Sequence, residues 1–160
     1  KEDAEFSARI RDFSAFFPYL VWEQDGKPLG YAYAHRVAAR EAYQWGAELS
    51  VYLAPEATRR GIGSALYRAM LSLLKEQGIL VAYACITRPN APSDALHAAF
   101  GFTAAGIWKN AGFKQGAWHD VGWFQKLLAP LPEHPAAPVS VHSLPAARVA
   151  RILEQAERPD

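Results

Sequence analysis

Three stretches of this sequence hold residues whose types and spacing could do chemistry. The first is "ATRRGIGSALYRAML" (57–71), where a helical pattern begins at Gly61 directly after Arg59 and Arg60. A helix N-terminus carries partial positive charge, so two cations there oppose the macrodipole by about 0.3–1 kcal/mol each. An anion resting on the free N–H groups of the first turn would resolve the mismatch. Gly61 and Gly63 would let it approach the backbone, and the guanidiniums would complete a pyrophosphate clamp. Otherwise the two arginines are solvated loop charges. The spacing is not the dinucleotide G-x-G-x-x-G, because Ala65 and Leu66 break it, and no Gly-Lys-Ser/Thr follows as in a P-loop.

The second stretch is "WGAELSVYL" (45–53). Trp45, Ala47, Leu49, Val51 and Leu53 alternate onto one apolar face, so Glu48 points to the other. Partly buried, it would be a general base with a raised pKa; fully solvated, it would be an ordinary strand carboxylate. The third is "RPNAPSDALHAAFGF" (88–102), where His97 is either a general acid or a ring packed under Phe100. His119 and Asp120 adjoin in "GAWHDVGW", but strand neighbours face opposite sides and cannot form an acid–base pair. With Trp118 they read as a pocket wall or a structural lock. Cys85, in an apolar strand, reads as packing rather than as an acyl-enzyme nucleophile.

The elements that must position these residues follow from periodicity. The chain has 160 residues, 51% of them hydrophobic, with formal net charge +1, as befits one globular core with no strong field for nucleic acid or membrane. One cysteine excludes an internal disulfide and fits a reducing cytoplasm, and the five histidines (35, 97, 119, 134, 142) lack metal-ligand spacing. Phe6, Ile10, Phe13 and Phe17 predict a helix over 2–17, and Asp25-Gly26 a hairpin between two strands. A helix over 62–77 turns Ile62, Leu66, Ala69, Met70 and Leu73 inward and ends at Gly78. A buried strand follows at 79–86, then a short helix ended by Gly101, then two strands flanking "NAGFKQGAW". This order predicts a mixed α/β sheet, an α+β arrangement rather than a doubly wound one. Residues 1–129 form the domain, and 130–160 a proline-rich linker and a short helix carrying Val149, Ile152 and Leu153. The sequence opens at Lys1 without a methionine, as a trimmed or partial product would.

Strand, "TRRGIGSAL", helix, strand, then "PNAPSDALHAAFGF" resembles the GNAT superfamily of acyl-CoA-dependent N-acetyltransferases. "AREAYQWGAELSVYL" and "AGFKQGAWHDVGW" narrow the resemblance to the phosphinothricin acetyltransferase group, over roughly residues 10 to 130. The resemblance implies a GNAT-like acyltransferase fold using acetyl-CoA as co-substrate. It implies that Arg59, Arg60, Gly61, Ile62, Gly63 and Ser64 hold the pyrophosphate, and that Asn90 and the main chain of Val51 and Leu53 hold pantetheine. It implies Glu48 as base and His97, where the family usually has Tyr, as acid. Arg40, Tyr43 and Trp118 would meet a small amino-acid-like amine, and the enzyme would be a cytoplasmic homodimer. Thr58 departs from the family's usual Gln or Arg. Family members also begin with a strand and helix ahead of the segment matching Lys1, which this sequence lacks, so the wall around the acceptor site is expected to be open there. Two other functions fit the same motifs: a non-catalytic acyl-CoA-binding module, and a peptide or protein N-terminal acetyltransferase.

Overall fold

The computed structural model describes residues 2–158. Six strands form one sheet in the order β1-β2-β3-β4-β6-β5: β1 Tyr19–Gln24, β2 Lys27–Arg36, β3 Gly46–Leu53, β4 Val81–Thr87, β5 Thr103–Lys114 and β6 Ala117–Leu127. Every neighbouring pair is antiparallel except β3 and β4. The expected hairpin turns at Asp25 and Gly26, both at positive φ (52° and 75°), the backbone a two-residue turn demands.

Helix α2 (Ile62–Glu76) covers one sheet face. Ile62, Leu66, Ala69, Met70 and Leu73 are all buried, as their spacing predicts. Of these, Ile62, Leu66 and Met70 share one core cluster with Ala32 and Ala34 of β2, Ala47 and Leu49 of β3, and Ala82 and Ala84 of β4. Small alanines in the central strands let the helix lie close, so the core forms from large helix residues against a flat sheet. Helix α3 (Ala91–Ala99) begins at Asn90, whose Oδ1 accepts from Ser93 N–H at 3.2 Å.

Helix α1 spans Glu2–Ser14, shorter than the predicted 2–17. Phe17 precedes Pro18, a position that disfavours helical backbone, and it leaves the helix to enter the core at 5% exposure. Phe13 instead stacks on Tyr33 and His35, placing α1 on the sheet face opposite α2. Phe6 remains exposed.

The proline-rich stretch is not a loose linker. Trp45 Nε1 donates to Ala136 O at 2.8 Å, Val139 N–H to Gln77 O at 2.8 Å, and Val141 N–H to Phe16 O at 2.9 Å. It thereby straps the ends of α1 and α2 before α4 (Ala146–Glu157) docks on α2. There Arg68 donates twice to Ala156 O and Arg148 pairs with Glu76. The buried stripe of α4 is Ile152 and Ala156, whereas Leu153 is 37% exposed.

Candidate active site

The parallel strands β3 and β4 pair only over Gly46–Leu49 and Val81–Ala84. Beyond Leu49 and Ala84 each stays bound to its outer neighbour, β2 or β6, but they no longer bind each other. Strands that part in mid-sheet leave facing N–H and C=O groups open to a ligand. The opening widens into a groove of about 290 Å³ lined by Ser50, Val51, Tyr52, Cys85, Thr87, Asn90, His97 and Lys114, with Tyr67 at its floor.

Beyond the end of β3, α2 begins after Gly61 (φ 78°) with no side-chain cap. Ala65 N–H makes a helical bond to Gly61 O at 3.0 Å, so the N–H groups of Ile62, Gly63 and Ser64 precede the helical ladder. A Cβ on Gly63 would lie 3.3 Å from Leu53 Cδ1, whereas one on Gly61 would meet open space. The first glycine is needed for its φ and the second for helix–strand approach. Arg59 also has positive φ (61°) and an exposed side chain with no ion pair among the described residues. Arg60 is different: its Nη2 donates to Gln24 Oε1 at 2.7 Å. Free donors, a free guanidinium and an open backbone edge suit a phosphorylated, amide-bearing chain such as coenzyme A.

Glu48 sits where the strands are still paired, just before they part. Its side chain is 18% exposed, and burial raises its pKa above the ordinary carboxylate value, opposed by neighbouring His35. His97 sits on the α3 side and is 3% exposed. Its Nδ1 donates to Ser93 O and its Nε2 accepts from Tyr67 O–H, both at 2.6 Å. Burial pushes the His97 pKa down, and burial also raises the pKa of Tyr67. The two candidate proton-transfer groups thus differ sharply in how far their bonding is satisfied.

The residues expected to meet the acceptor are less tightly gathered. Tyr43 is half exposed and shares a cleft of about 180 Å³ with Tyr83, the cross-strand partner of Glu48. Arg40 precedes that short turn, exposed and without an ion pair to Glu41 among the described residues. Trp118 lies on the β5–β6 hairpin against Phe113 and does not line the groove. Asp120 is the structural lock, accepting from Lys109 Nζ at 3.0 Å and Asn110 N–H at 2.9 Å. Cys85 departs from the packing expectation: it is exposed and faces the groove, because strand alternation turns it away from Ala84 and Ile86. Burial and nearby Glu48 raise its pKa, which leaves it a poor nucleophile.

Three features escaped sequence reasoning. Tyr67 was counted only as part of a helix, although it is three residues past Ser64 and points at α3. A stacked ladder of Tyr19, Tyr31, Tyr33 and Tyr52 covers the Glu48 face; the period-two spacing of Tyr31, Tyr33 and His35 was its signal. Burial and the neighbouring tyrosines push Tyr52 up to about 12. His35 itself was read only for metal spacing, and it is the residue nearest to pairing with Glu48.

Comparison with known proteins adds an independent finding. The acetyltransferase (GNAT) domain family matches residues 3–123. A phosphinothricin N-acetyltransferase of Streptomyces viridochromogenes is 43% identical over 125 residues, 78% of this chain and 68% of that protein. An L-methionine sulfoximine/L-methionine sulfone acetyltransferase of Pseudomonas paraeruginosa is 34% identical over 79% of this chain and 73% of that one. The crystal structure of a Sinorhizobium meliloti phosphinothricin acetyltransferase in complex with AcCoA aligns with TM-score 0.78 at 35% identity, covering 85% of this chain and 75% of the other. Across four Streptomyces and Alcaligenes relatives, the chain spans from 52% to 68% of their length.

Proposed function

The chain belongs to the GNAT acetyltransferase family, and from that premise we propose that it transfers acetyl from acetyl-CoA to the amine of a small, amino-acid-like acceptor. The observation that carries this reading is the parting of β3 and β4 immediately beyond Glu48. It opens main-chain groups to a ligand one residue beyond the half-buried Glu48.

Acetyl-CoA supplies the acetyl group as a thioester, activated for attack by an amine. The α2 N-terminus from Gly61 to Ser64 holds its pyrophosphate with Arg59, while Arg60 contributes long-range charge from its place on Gln24. The main chain of Val51 and Leu53 and the Asn90 turn hold the pantetheine arm. Asn90 already uses Oδ1 as a helix cap, so it contributes through its amide NH₂. Glu48 takes the proton from the acceptor ammonium, and its raised pKa brings its basicity closer to working pH.

His97 and Tyr67 serve the thiol side. A charged His97 donates Nε2–H to the Tyr67 oxygen, freeing that hydroxyl to give its own proton to the departing thiolate. Burial makes the charged form scarce, but a thiol with pKa near ~8.5 needs little help to leave. This side therefore carries less of the rate.

Arg40 meets the acceptor's anionic group, for its planar fork can donate two parallel bonds to a carboxylate or phosphinate. Tyr43 shapes the adjoining wall. Trp118, with Phe113, Trp108 and Ile107, belongs to an exposed apolar hairpin whose 56–64% exposure suits a second copy of the chain in a homodimer. Among the described residues no helix is long and apolar enough to cross a membrane. A lone free thiol favours the reducing cytoplasm as its location.

The test is thiol release from acetyl-CoA over a panel of phosphinothricin, methionine sulfoximine, an uncharged amine and a short peptide. Turnover highest with phosphinothricin and methionine sulfoximine supports the reading. Release with the peptide alone would make the chain an N-terminal acetyltransferase, and binding without release in any arm would make it an acyl-CoA-binding module.

A further inference from the structure

Outside the roles just assigned, a titratable side chain lies against the Glu48 carboxylate. His35 of β2 is the cross-strand partner of Glu48 of β3, so both side chains leave the sheet on the same face. The His35 Nε2 is 3.6 Å from Glu48 Oε2, and its Nδ1 lies 2.9 Å from the Arg36 carbonyl oxygen. A carbonyl only accepts, so Nδ1 carries hydrogen and the neutral ring turns an unprotonated Nε2 toward the carboxyl group. Phe13 of α1 stacks on the imidazole at 4.9 Å between centroids and fixes its plane. The ring also lines a cleft of about 460 Å³, with Phe13, Phe16, Asp12, Arg36, Gln44 and Pro138 among its walls. His35 therefore touches the carboxylate on one side and an open cleft on the other.

We propose that His35 is a positioning residue and proton outlet for Glu48, accepting at Nε2 the proton that Glu48 takes from the acceptor and passing it to water in the adjoining cleft. The proposal rests on Glu48 being the base. The balance is simple. The acceptor ammonium gives a proton to the Glu48 carboxylate, and the resulting carboxylic acid gives it to neutral His35. The imidazolium then releases it to solvent, leaving carboxylate and neutral imidazole as at the start. Nδ1 keeps its bond to the Arg36 carbonyl throughout, so the ring need not flip. A 3.6 Å separation is just beyond a hydrogen bond, and a small side-chain rotation closes it when the carboxyl becomes a donor. The cleft has ample room for water.

The imidazolium would also lower the pKa of Glu48, in the direction opposite to burial. The other charged or titratable groups around this face include Arg9 and Asp12 from α1, Tyr19 from β1, Tyr31, Tyr33 and Arg36 from β2, Tyr52 from β3, and Tyr83 and Cys85 from β4. Burial and Glu48 raise the thiol pKa of Cys85, which favours its neutral form. Of these groups, His35 is the one whose ring nitrogen lies 3.6 Å from the Glu48 carboxylate.

The test is the pH profile of kcat/KM for the acceptor in His35→Phe, which keeps the stacking on Phe13, and in His35→Gln, which keeps a polar side chain. Both variants should lower kcat on the order of tenfold, short of the ~10²–10⁴ expected for loss of the base itself. In both, the acid limb should move to higher pH, because Glu48 loses a cation that favours its ionised form. Added imidazole should restore part of the rate in the Gln variant. An unmoved acid limb, or full activity in both variants, overturns the proposal. Glu48→Gln is assayed in parallel: if it stays active the base assignment fails, and if it is inactive while the His35 variants are normal, only the outlet fails. A variant with a collapsed melting temperature is replaced by the other.

Discussion

The two sides of the groove answer the same sequence question in opposite ways. Glu48 and His97 are both proton-transfer residues by type, and both are shielded from water. Among the described residues, Glu48 has His35 at 3.6 Å and no side-chain hydrogen bond to hold it still. His97 has both ring nitrogens engaged at 2.6 Å, by Ser93 and Tyr67, and aromatic edges from Phe102 and Tyr67 around it. A buried polar group that is fully bonded is held in place and defines local structure, whereas one kept short of partners in an open groove is available to a substrate. Spare bonding capacity, not residue type, distinguishes the two sides.

The sharpest test of that contrast is Glu48→Gln. The amide keeps size and polarity but cannot take a proton, so kcat should fall by roughly 10²–10⁴. The KM for acetyl-CoA should barely change, because Glu48 precedes the parting of the strands where the arm would lie. In the native protein the acid limb of kcat/KM should stand above the ordinary carboxylate range, as the burial-driven rise in Glu48 requires. Steady-state rates across pH check both statements, and near-normal turnover would break the comparison at its first term.

The same distinction ranks the arginines. Arg40 makes no ion pair among the described residues and stands beside the turn that holds Tyr43. Arg40→Ala should raise KM for an anionic acceptor about 10- to 100-fold, the value of one charge-assisted contact of roughly 1.5–3 kcal/mol, and leave KM for acetyl-CoA alone. Arg59 is free and Arg60 is held by Gln24. Arg59→Ala should therefore raise KM for acetyl-CoA by about tenfold, close to 1.4 kcal/mol, and Arg60→Ala by less than about threefold. Equal effects of the two would mean that the bond to Gln24 yields to the ligand. Titration of coenzyme A against its dephosphorylated pantetheine fragment separates phosphate from arm in each variant.

Much of this was legible in the chain, and the boundary is physical. Periodicity located α2 and its buried residues because a fifteen-residue amphipathic helix over a sheet has one way to face. The glycine pair located the helix start because Gly61 needs positive φ and Gly63 has Leu53 against it. Glu48 was legible as facing away from the core, through simple alternation. What the pattern did not reveal is pairing across distance. That Arg60 meets Gln24, that Tyr67 meets His97, and that His35 lies opposite Glu48 depend on hairpin register and on the helix's rotation over the sheet. The strap at 136–143 also escaped, since its contacts to Phe16, Trp45 and Gln77 run through main-chain groups with no sequence signature. Leu153 stays 37% exposed because the helix presents Ala156 beside Ile152, a small residue that composition does not single out.

The smallest expected effects lie on the saturated side, and they test the contrast from its other end. His97→Asn should lower kcat by less than ~10², below the usual range for a positioned acid; a larger loss would return His97 to the centre of the mechanism. Its larger signature should be in stability. Tyr67→Phe removes the donor to Nε2 and leaves a buried acceptor without a partner, a loss of about 1–3 kcal/mol. For a chain of this size that is roughly 2–4 °C in melting temperature per kcal/mol. The pH dependence carries a definite sign. Burial lowers the His97 pKa below 6.5, so the unfolded chain binds the proton more readily than the folded one. Stability contributed by neutral His97 is thus fully present above about pH 6.5 and declines as pH falls toward the folded value. The His97→Asn variant should lose less stability than the native chain between about pH 7 and pH 5. Parallel slopes in thermal melts would mean that another group governs acid unfolding and that burial does not hold His97 neutral. In that case the protonated form is accessible, and the thiol side of the groove holds an acid as available as the base opposite it.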